Sequence, residues 1–413
     1  MMRTLYSIGI AFYTLGVRIA SLWMGKARLM KDGWPGTWRA LAKWKNIGAG
    51  EETAWFHASS LGEFEQARPV LERYRELHPQ SRVVLTFFSP SGYEVRKNYK
   101  EADLVCYLPM DSRGNARRFV KTVRPTVAFF AKYDFWFNYL NELKRCSVPT
   151  YLFSAIFRPT QYFFHPYGRW FCKQLDCYTH IFVQNQESLD LLHRHGITRS
   201  SLAGDTRFDR VDAIARTAPR YPEIEQFVGG RQVLMAGSSW EPDEANIAAF
   251  AKGCGDELCV ILAPHVISES HLNYIENLFG PERTLRYSAL KQGQAAEGKR
   301  VLVIDNIGML SSLYQYATVA YIGGGFGKGI HNTLEAMTYA KPVCFGPRYG
   351  KFKEAVDIIE RGGGRSYTTA EELSLLLTEW FNSSAKREAA AQECRRYVDE
   401  NLGTTDIIIR TAQ

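Results

Sequence analysis

The sequence predicts an α/β protein made of two doubly wound domains, each a parallel sheet with helices on both faces. Its 413 residues exceed one common domain of ~150 residues, which favours two. Hydrophobic residues make up 46% and charged residues 23%, as in globular proteins. Beyond residue 55, short β-branched or aromatic runs alternate with helical patterns, the rhythm of βαβ units.

The strand-like runs fall into two series. They lie at 82–88, 125–131, 148–155 and 180–185, then at 232–239, 258–264, 300–305, 319–324 and 341–347, and a further first strand precedes Ser59. Between the series, residues 206–230 have two prolines and a Gly pair but no strand pattern, so the boundary is predicted there. We predict a membrane anchor over 1–24, domains over 25–212 and 213–385, and a helical tail over 386–413 that can return to the first domain. Two such halves facing each other would form a ligand cleft at the carboxyl ends of their strands.

The N-terminal stretch from Leu5 to Met24 is apolar except for Arg18, and about 20 helical residues suffice to cross a bilayer. The basic residues that follow it predict a cytoplasmic body. A cleaved signal peptide, a helix lying in the membrane interface and a helix packed on its own domain remain alternatives. We expect a tether, because no polar face of helical period is evident between Leu5 and Val17.

Charge and cysteine usage restrict the function classes. Lys and Arg total 51 against 43 for Asp and Glu, and the net charge of +8 favours anionic partners such as phosphates, nucleotides or acidic lipid headgroups. The 8 Cys residues include no C-x-x-C pair, which favours a reducing compartment over a disulfide framework or zinc knuckle. Neither an RNA-binding aromatic pattern nor a basic stripe is present, so no nucleic-acid partner is predicted.

A glycine cluster, GGGFGKG at 323–329, invites comparison with nucleotide-binding loops. It fits neither G-x-G-x-x-G nor the P-loop pattern. Asn332 or Thr333 can cap the helix that follows, and a helix N-terminus is an anion site suited to a phosphate. A tight turn without a ligand is the alternative.

Near the first strand, Ser59, Ser60 and Gly62 precede a helix that is predicted to begin near Glu63. The helix dipole favours an ionised carboxylate there, which suits a general base facing the cleft. The alternative for Glu63 is a capping role in the first turn. Ser89, Ser91 and Gly92 repeat the strand–loop–helix design at 82–95, and no G-x-S-x-G elbow supports a serine nucleophile.

Six segments occur in order along the chain: HASSLGE (57–63), LTFFSPSGYE (85–94), YLPMD (107–111), VRPTVAFFAKYDFWFN (123–138), MAGSSWEPDE (235–244) and HNTLEAMTYAKPVCFGP (331–347). Taken together, they resemble the 3-deoxy-D-manno-octulosonic acid (Kdo) transferases of lipopolysaccharide synthesis. The resemblance implies a membrane-anchored GT-B glycosyltransferase with two facing Rossmann-like domains. It also implies inverting transfer of Kdo from CMP-Kdo to the lipid A precursor, a tetraacyldisaccharide 4′-phosphate, at the cytoplasmic side of the inner membrane. No metal or other cofactor is expected.

The resemblance also implies residue roles, with Glu63 as the catalytic base. The implied CMP-binding residues, in the C-terminal domain, are Gly237, Ser238, Pro264, His265, Ile307, Gly308, Met309, Asn332, Thr333, Leu334 and Glu335. The acceptor, which carries phosphates and acyl chains, is assigned to the N-terminal domain through Ser60, Ser91, Gly92, Asp134, Arg117 and Arg118. The aromatic and basic segment 157–171 is a further acceptor candidate, with core packing as the alternative.

Two departures from the family pattern affect these roles. Lys132 and Asp134 stand where the family often has the two glutamates of E-T-E-L-W-P-N, and Met309 stands where a Glu commonly follows Gly. Two other functions remain open: a GT-B transferase that uses a UDP-sugar, and a noncatalytic membrane-tethered module that binds nucleotides or nucleic acid.

Overall fold

The computed structural model describes residues 2–45 and 52–412, so residues 1, 46–51 and 413 of the predicted domain ranges lie outside it. The chain forms two compact units. Unit 1 comprises Met1–Arg210 and Leu402–Gln413, and unit 2 comprises Val211–Asn401. Each unit is built around one parallel seven-stranded sheet.

The strands are β1 (Thr53–Ala58), β2 (Arg82–Phe87), β3 (Leu104–Tyr107), β4 (Val127–Ala131), β5 (Thr150–Ala155), β6 (His180–Val183), β7 (Ser200–Leu202), β8 (Gln232–Ser239), β9 (Leu258–Pro264), β10 (Thr284–Arg286), β11 (Val301–Val303), β12 (Val319–Ile322), β13 (Val343–Phe345) and β14 (Gly364–Ser366). The helices are α1 (Met2–Ala20), α2 (Gly25–Lys45), α3 (Leu61–Leu77), α4 (Pro90–Arg96), α5 (Arg113–Val123), α6 (Phe137–Arg145), α7 (Arg169–Gln174), α8 (Gln186–Arg194), α9 (Arg207–Arg216), α10 (Pro222–Val228), α11 (Glu241–Lys252), α12 (Glu269–Phe279), α13 (Tyr287–Lys291), α14 (Leu310–Leu313), α15 (Leu334–Met337), α16 (Lys353–Glu360), α17 (Ala370–Asn382), α18 (Ser384–Glu400) and α19 (Thr404–Ala412).

The sheet of unit 1 has the order β3-β2-β1-β4-β5-β6-β7, with all neighbours parallel. Every residue of β1 and β4 is buried, because helices cover both faces of a parallel sheet. Strands β2 and β3 lie on one side of β1, and the later strands β4 to β7 lie on the other side. The crevice between the carboxyl ends of β1 and β4 is therefore the topological switch point. Ligands of doubly wound proteins bind at such a crevice.

The sheet of unit 2 has the order β10-β11-β9-β8-β12-β13-β14 and is also parallel throughout. Its central strand β8 pairs Gly237 with Ala263 of β9 and with Ile322 of β12. The switch point of this sheet therefore lies between the ends of β8 and β12. The two doubly wound sheets confirm the predicted α/β class.

Four strands were not predicted from the sequence, and all four are the outermost strands of their sheets: β3, β7, β10 and β14. They contain only three or four residues each, and each includes residues that are not buried. An edge strand has a partner on one side only, so it needs no continuous apolar run, and the signal that predicted the central strands is missing.

The predicted single helix from Leu5 to Met24 is wrong in its extent. Helix α1 ends at Ala20, where i→i+3 hydrogen bonds from Leu22 and Trp23 tighten the last turn, and α2 begins at Gly25. No single helix in the described ranges is long and apolar enough to cross a membrane. Helices α1 and α2 meet that test only as a pair bent by 116°.

The expectation that α1 has no face directed at the folded body is also wrong. Val17 is buried, the Tyr6 ring lies 5.1 Å from the Phe137 ring, and the Tyr13 ring lies 6.2 Å from the Phe88 ring. Helix α1 has apolar residues on its exposed face as well as on the face that packs against the rest of unit 1. The sequence therefore lacks the alternation of polar and apolar faces that indicates a helix packed on a protein surface.

The C-terminal residues divide between the units. Helix α18 belongs to unit 2, whereas α19 belongs to unit 1, where Ile408 and Ile409 join the core beside α3. The Asp209 carboxylate accepts hydrogen bonds from the backbone N–H groups of Gly403 (2.7 Å) and Thr405 (2.6 Å). These bonds hold the start of α19 on unit 1.

Candidate functional site

In unit 1, the turn from β1 into α3 places Glu63 at the carboxyl edge of the sheet. Ser60 is the N-cap of α3, and its Oγ accepts from the Glu63 N–H (3.5 Å) and donates to Glu63 Oε2 (2.8 Å). The capping alternative is therefore present in the structure. It leaves further acceptor positions on a carboxylate that is half-buried, so capping and base chemistry are compatible.

Asp134 follows β4 and lies at the same switch point. It is buried, and it accepts hydrogen bonds from the N–H (3.2 Å) and the hydroxyl of Ser59, while Tyr178 donates to its backbone oxygen (2.7 Å). Burial, and secondly the charge of Glu63, raise the pKa of Asp134 well above its ordinary value.

His57 lies on β1 among the groups that support Asp134. Its ring is completely buried, with Nδ1 2.8 Å from Thr86 Oγ1 and Nε2 3.7 Å from Asp134 Oδ1. Burial lowers the pKa of His57 to about 3, so the ring is neutral at physiological pH. The contact with Asp134 is therefore a polar contact between buried side chains and not an ion pair.

The loop after β2 adjoins the Ser59 loop, because the Ser89 N–H donates to the Ser59 oxygen (2.7 Å). Ser91 is exposed, with its Oγ 3.0 Å from Ser89 Oγ. Gly92 is buried against Phe87, where a Cβ would lie 2.3 Å from the ring. The structure thus brings the N-cap Ser60, the first-turn residues Ser91 and Gly92 of α4 and the loop residue Asp134 to neighbouring segments of unit 1.

The two predicted arginines make their contacts elsewhere in unit 1. Both lie exposed on α5, where the Arg118 guanidinium stacks 4.1 Å from the Trp38 ring of α2 and Arg117 is near Glu142 of α6. None of these contacts is with the Ser59–Glu63 turn. In the segment 157–171, Phe157 and Phe163 are buried core residues, as the packing alternative expects.

In unit 2, Gly237, Ser238, Pro264 and His265 meet at the carboxyl edge of the sheet. The His265 N–H donates to the Ser239 oxygen (2.9 Å), and Ser238 has a positive φ of 53°. A Cβ on Gly237 would lie 2.0 Å from the Tyr314 hydroxyl oxygen. Close backbone packing therefore shapes this part of the edge.

The segment after β11 supplies Ile307, Gly308 and Met309. Ile307 is 92% exposed and Gly308 has a φ of 99°, so the backbone projects from the sheet edge here. Met309 is buried, with its sulfur 2.9 Å from Asn306 Nδ2. Its side chain contributes no charge at this position.

The segment 332–335 forms the start of α15, which is only one turn long. Asn332 Oδ1 accepts from the Leu334 N–H (3.2 Å), and Asn332 Nδ2 donates to Glu335 Oε1 (3.1 Å). Thr333 and Leu334 are buried, so Asn332 and Glu335 present the more accessible side chains. The N-cap residue, Thr333, makes no side-chain cap hydrogen bond, and the Asn332 amide oxygen is bonded to the backbone just before this short helix instead.

Three aromatic rings at this edge were not assigned together from the sequence. The His265 ring stacks with the rings of both Trp240 and His331, each at a centroid distance of 4.6 Å, and Trp240 Nε1–H donates to His331 Nε2 (3.3 Å). Burial, and secondly His265, lower the pKa of His331. No sequence spacing could reveal a stack of residues from three separate loops.

Asp243 supports the glycine loop and was also missed. This buried carboxylate accepts from the Gly324 N–H (2.9 Å), the Trp240 N–H (3.0 Å) and the Tyr321 hydroxyl (2.7 Å). Arg348 donates to the Gly327 oxygen (2.6 Å) on the other side of the loop. Side chains on both sides therefore hold the 323–329 loop in place.

Within residues 2–45 and 52–412, no three His, Cys, Asp or Glu side chains are grouped so that they could hold a metal ion. The candidate groups of unit 1 are thus carboxyl groups and serines, whereas those of unit 2 are glycines, aromatic rings and an Asn–Glu pair.

Comparison with known proteins identifies relatives that match most of the chain. Residues 36–210, within unit 1, match the family model for 3-deoxy-D-manno-octulosonic-acid transferase (kdotransferase). The 3-deoxy-D-manno-octulosonic acid transferase of Aquifex aeolicus is 27% identical over 352 residues, which are 83% of this chain and 90% of the relative. That of Chlamydia trachomatis serovar D is 23% identical over 367 residues, 84% of this chain and 82% of the relative.

Among solved structures, the UDP-GlcNAc 2-epimerase of Neisseria meningitidis bound to UDP-GlcNAc superimposes with a TM-score of 0.62. It is 13% identical, and the match covers 87% of this chain and 99% of that one. At this identity the likeness concerns the fold, and it agrees with two Rossmann-like units of the GT-B class.

Proposed function

We propose that this chain, which is similar over most of its length to 3-deoxy-D-manno-octulosonic acid transferases, is a glycosyltransferase acting on Kdo and that its donor is CMP-Kdo. We further propose that its acceptor is the lipid A precursor, a tetraacyldisaccharide 4′-phosphate, and that transfer inverts the anomeric centre. The observation that carries this proposal is the position of Glu63 at the switch point of unit 1, beside a second, buried carboxyl group.

In this reaction a hydroxyl oxygen of the acceptor bonds to the anomeric carbon of Kdo. The bond from that carbon to the CMP phosphate oxygen breaks, and CMP leaves with the electron pair. The Glu63 carboxylate takes the hydroxyl proton as the new bond forms, a contribution typically worth ~10²–10⁴ in rate. Asp134 does not replace it, because Asp134 is buried and both its oxygens already accept from Ser59.

The donor nucleotide is proposed to bind at the carboxyl edge of unit 2. The backbone at Gly237, Pro264 and Gly308 lines that edge, and Asn332 and Glu335 offer an amide and a carboxylate there. Arg348 adds a cation anchored on the glycine loop, suited to the departing phosphate. The implied CMP-binding residues thus share one sheet edge, which supports the assignment.

The decisive experiment incubates the full-length protein with CMP-Kdo and detergent-dispersed tetraacylated lipid A precursor. We expect CMP release together with a product heavier by one or more Kdo residues, resolved by mass. A parallel reaction with UDP-N-acetylglucosamine should release no UDP. Turnover of the UDP-sugar with none of CMP-Kdo would instead support the alternative GT-B function.

We also propose that α1 binds the protein to the cytoplasmic face of the inner membrane. An apolar stripe with helical spacing points away from unit 1, and its members are Leu5, Ile8, Phe12, Leu15 and Ile19, exposed by 47% to 70%. Arg113, hydrogen-bonded to Thr4 (3.0 Å), places a cation beside this helix. The combination suits a helix lying in the interface of a bilayer with anionic lipids.

Vesicles of phosphatidylethanolamine and phosphatidylglycerol test this membrane surface. Replacing Ile8, Phe12 and Leu15 together by Ser should lower vesicle binding by roughly tenfold or more, because apolar burial drives interfacial binding. Turnover of detergent-dispersed acceptor should remain. Leu375→Ser, at an exposed leucine of unit 2, is the control that should bind as wild type. Unchanged vesicle binding of the triple variant would exclude the apolar stripe as the membrane-binding surface.

A further inference from the structure

A buried carboxylate caps helix α6 from outside its own sequence. The α6 N-cap, Trp136, makes no side-chain cap hydrogen bond. Asp111, completely buried, instead accepts from the backbone N–H groups of Asn138 and Tyr139, both at 3.0 Å. Asp111 follows β3, so the first turn of α6 depends on a residue from another loop of unit 1.

Helix α1 completes this buried cap. The Tyr6 hydroxyl donates to Asp111 Oδ2 at 2.6 Å, and its ring packs edge-on against Phe137, the first residue of α6. Arg3 Nε donates to Asn138 Oδ1 (3.1 Å), and Asn138 Nδ2 donates to the Asp111 backbone oxygen (2.6 Å). The first two turns of α1 are therefore joined to the first turn of α6 by charge-assisted and amide hydrogen bonds.

The first turn of α6 continues directly from the loop that carries Asp134. Only Phe135 and Trp136 separate Asp134 from α6, and the Phe135 N–H donates to the Tyr133 oxygen (3.1 Å), which makes the connection short and turned. Asp134 in turn holds the Ser59 N–H and hydroxyl. A shift of the α6 first turn would therefore be transmitted through few rotatable bonds to the turn that carries Glu63.

We infer that Tyr6 is a positioning residue of the active site. By completing the Asp111 cap it fixes the start of α6, and through the Asp134 loop it fixes the Ser59–Glu63 turn. Helix α1 thus belongs to the scaffold of the transfer site in addition to its proposed membrane role. The kinetic part of the inference rests on the proposed function of Glu63, whereas the structural coupling does not.

Hydrogen exchange of the full-length protein tests the coupling without reference to activity. Tyr6→Phe keeps the ring and removes only the hydroxyl, and Tyr13→Phe on the same helix is the matched control, since the Tyr13 hydroxyl has no hydrogen bond in the part of the chain that the structure describes. We expect roughly tenfold faster exchange at 57–64 and 132–140 in Tyr6→Phe alone. Faster exchange confined to 137–140, an equal rise throughout unit 1, or no change would each overturn the inference.

Kinetics then test the consequence in detergent, where membrane binding plays no part. Tyr6→Phe should lower kcat by roughly 10- to 100-fold with the KM for CMP-Kdo and the CMP affinity unchanged, because misplacement affects the reacting groups and not the donor site. Arg3→Gln changes a side chain that contacts Asn138 and not Asp111 itself, so it should show the same pattern more weakly. This second variant provides the test if Tyr6→Phe folds poorly.

A double variant separates positioning from general stability. In an Asp134→Asn background, Tyr6→Phe should lower kcat by no more than about twofold further, because both changes act on one connected network. Full multiplicative losses, or a wild-type kcat in Tyr6→Phe, would refute the positioning role. Absence of CMP release by the wild type would contradict the proposed function instead, and the exchange experiment would still decide the coupling.

Discussion

The carboxyl edges of the two sheets have the same topology but are built from different chemical groups. In unit 1, the switch point holds titratable side chains: Glu63, the buried Asp134 and the neutral His57. In unit 2, it is shaped by closely packed glycines, by stacked rings and by the Asn332–Glu335 pair. One edge is suited to moving a proton, and the other to holding a planar or anionic ligand.

This difference shows how one architecture can serve two roles. A parallel sheet brings the same kind of loop to its carboxyl edge in both units, but residue size decides what reaches the crevice. Gly325 packs so closely on Gly346 that a Cβ would lie 2.6 Å from the Gly346 Cα. Unit 1 instead places carboxyl groups at its crevice, and burial raises the pKa of one of them, Asp134.

The largest effect should come from Glu63→Gln, which keeps the shape of the side chain but cannot take a proton. We expect transfer to fall by ~10²–10⁴ with CMP binding and the melting temperature nearly unchanged. Product formation from CMP-Kdo in detergent measures transfer, and calorimetry measures CMP binding and the melting temperature. Activity within about tenfold of wild type would remove Glu63 as the base and, with it, the contrast between the two edges.

A smaller but clear effect is expected from Gly325→Ala in unit 2. The added Cβ would collide with the backbone of Gly346, so the glycine loop must shift, and CMP should bind roughly tenfold more weakly. Gly327→Ala is the matched control in the same loop, because its nearest contact is an ordinary 3.5 Å to the Gly324 oxygen. Equal CMP affinities for the two variants, measured by calorimetry, would contradict a backbone-shaped donor site.

The pH dependence of the free energy of unfolding should reveal that the fold holds the His57 ring neutral. Its pKa is about 3 in the folded protein and ~6.5 when unfolded, so the unfolded chain binds more protons between these values and stability falls as pH decreases. The loss should approach ~1.4 kcal/mol per pH unit within this window, relative to His57→Gln.

Comparing the two proteins by denaturant unfolding from pH 7 to pH 4 isolates this contribution. The comparison is needed because burial raises the pKa of Asp111 to about 6, which changes stability in the opposite direction between pH 4 and 6. Parallel stability curves for wild type and His57→Gln would show that His57 is not held neutral in the fold.

The smallest expected effects concern side chains of unit 2. Asn332→Ala removes the hydrogen bonds to the Leu334 N–H and to Glu335 and should weaken CMP binding by roughly fivefold, and Glu335→Ala should weaken it similarly. Acceptor binding should be affected less than CMP binding in both variants. Calorimetry showing unchanged CMP affinity in both would place the donor away from α15.

The strands of the sheet interiors and the start of α3 could be predicted from the sequence because both signals are local. A strand covered on both faces reads as a continuous apolar run, as in VVLTF and LCVILAP, and Ser60 precedes Glu63 by the three residues of a cap. The outer strands and the inward face of α1 could not, because their burial is one-sided and depends on neighbours distant in sequence.

By itself, then, the sequence determined the α/β class, the two series of strands and a carboxylate at a helix start. Only the tertiary structure decided that Asp134 bonds to Ser59 across 75 positions and that Tyr6 bonds to Asp111 across 105. It also decided the stack of Trp240, His265 and His331. The physical reason is that strand order and register determine which loops meet at the edge of a parallel sheet, and these depend on the packing of whole helices and strands.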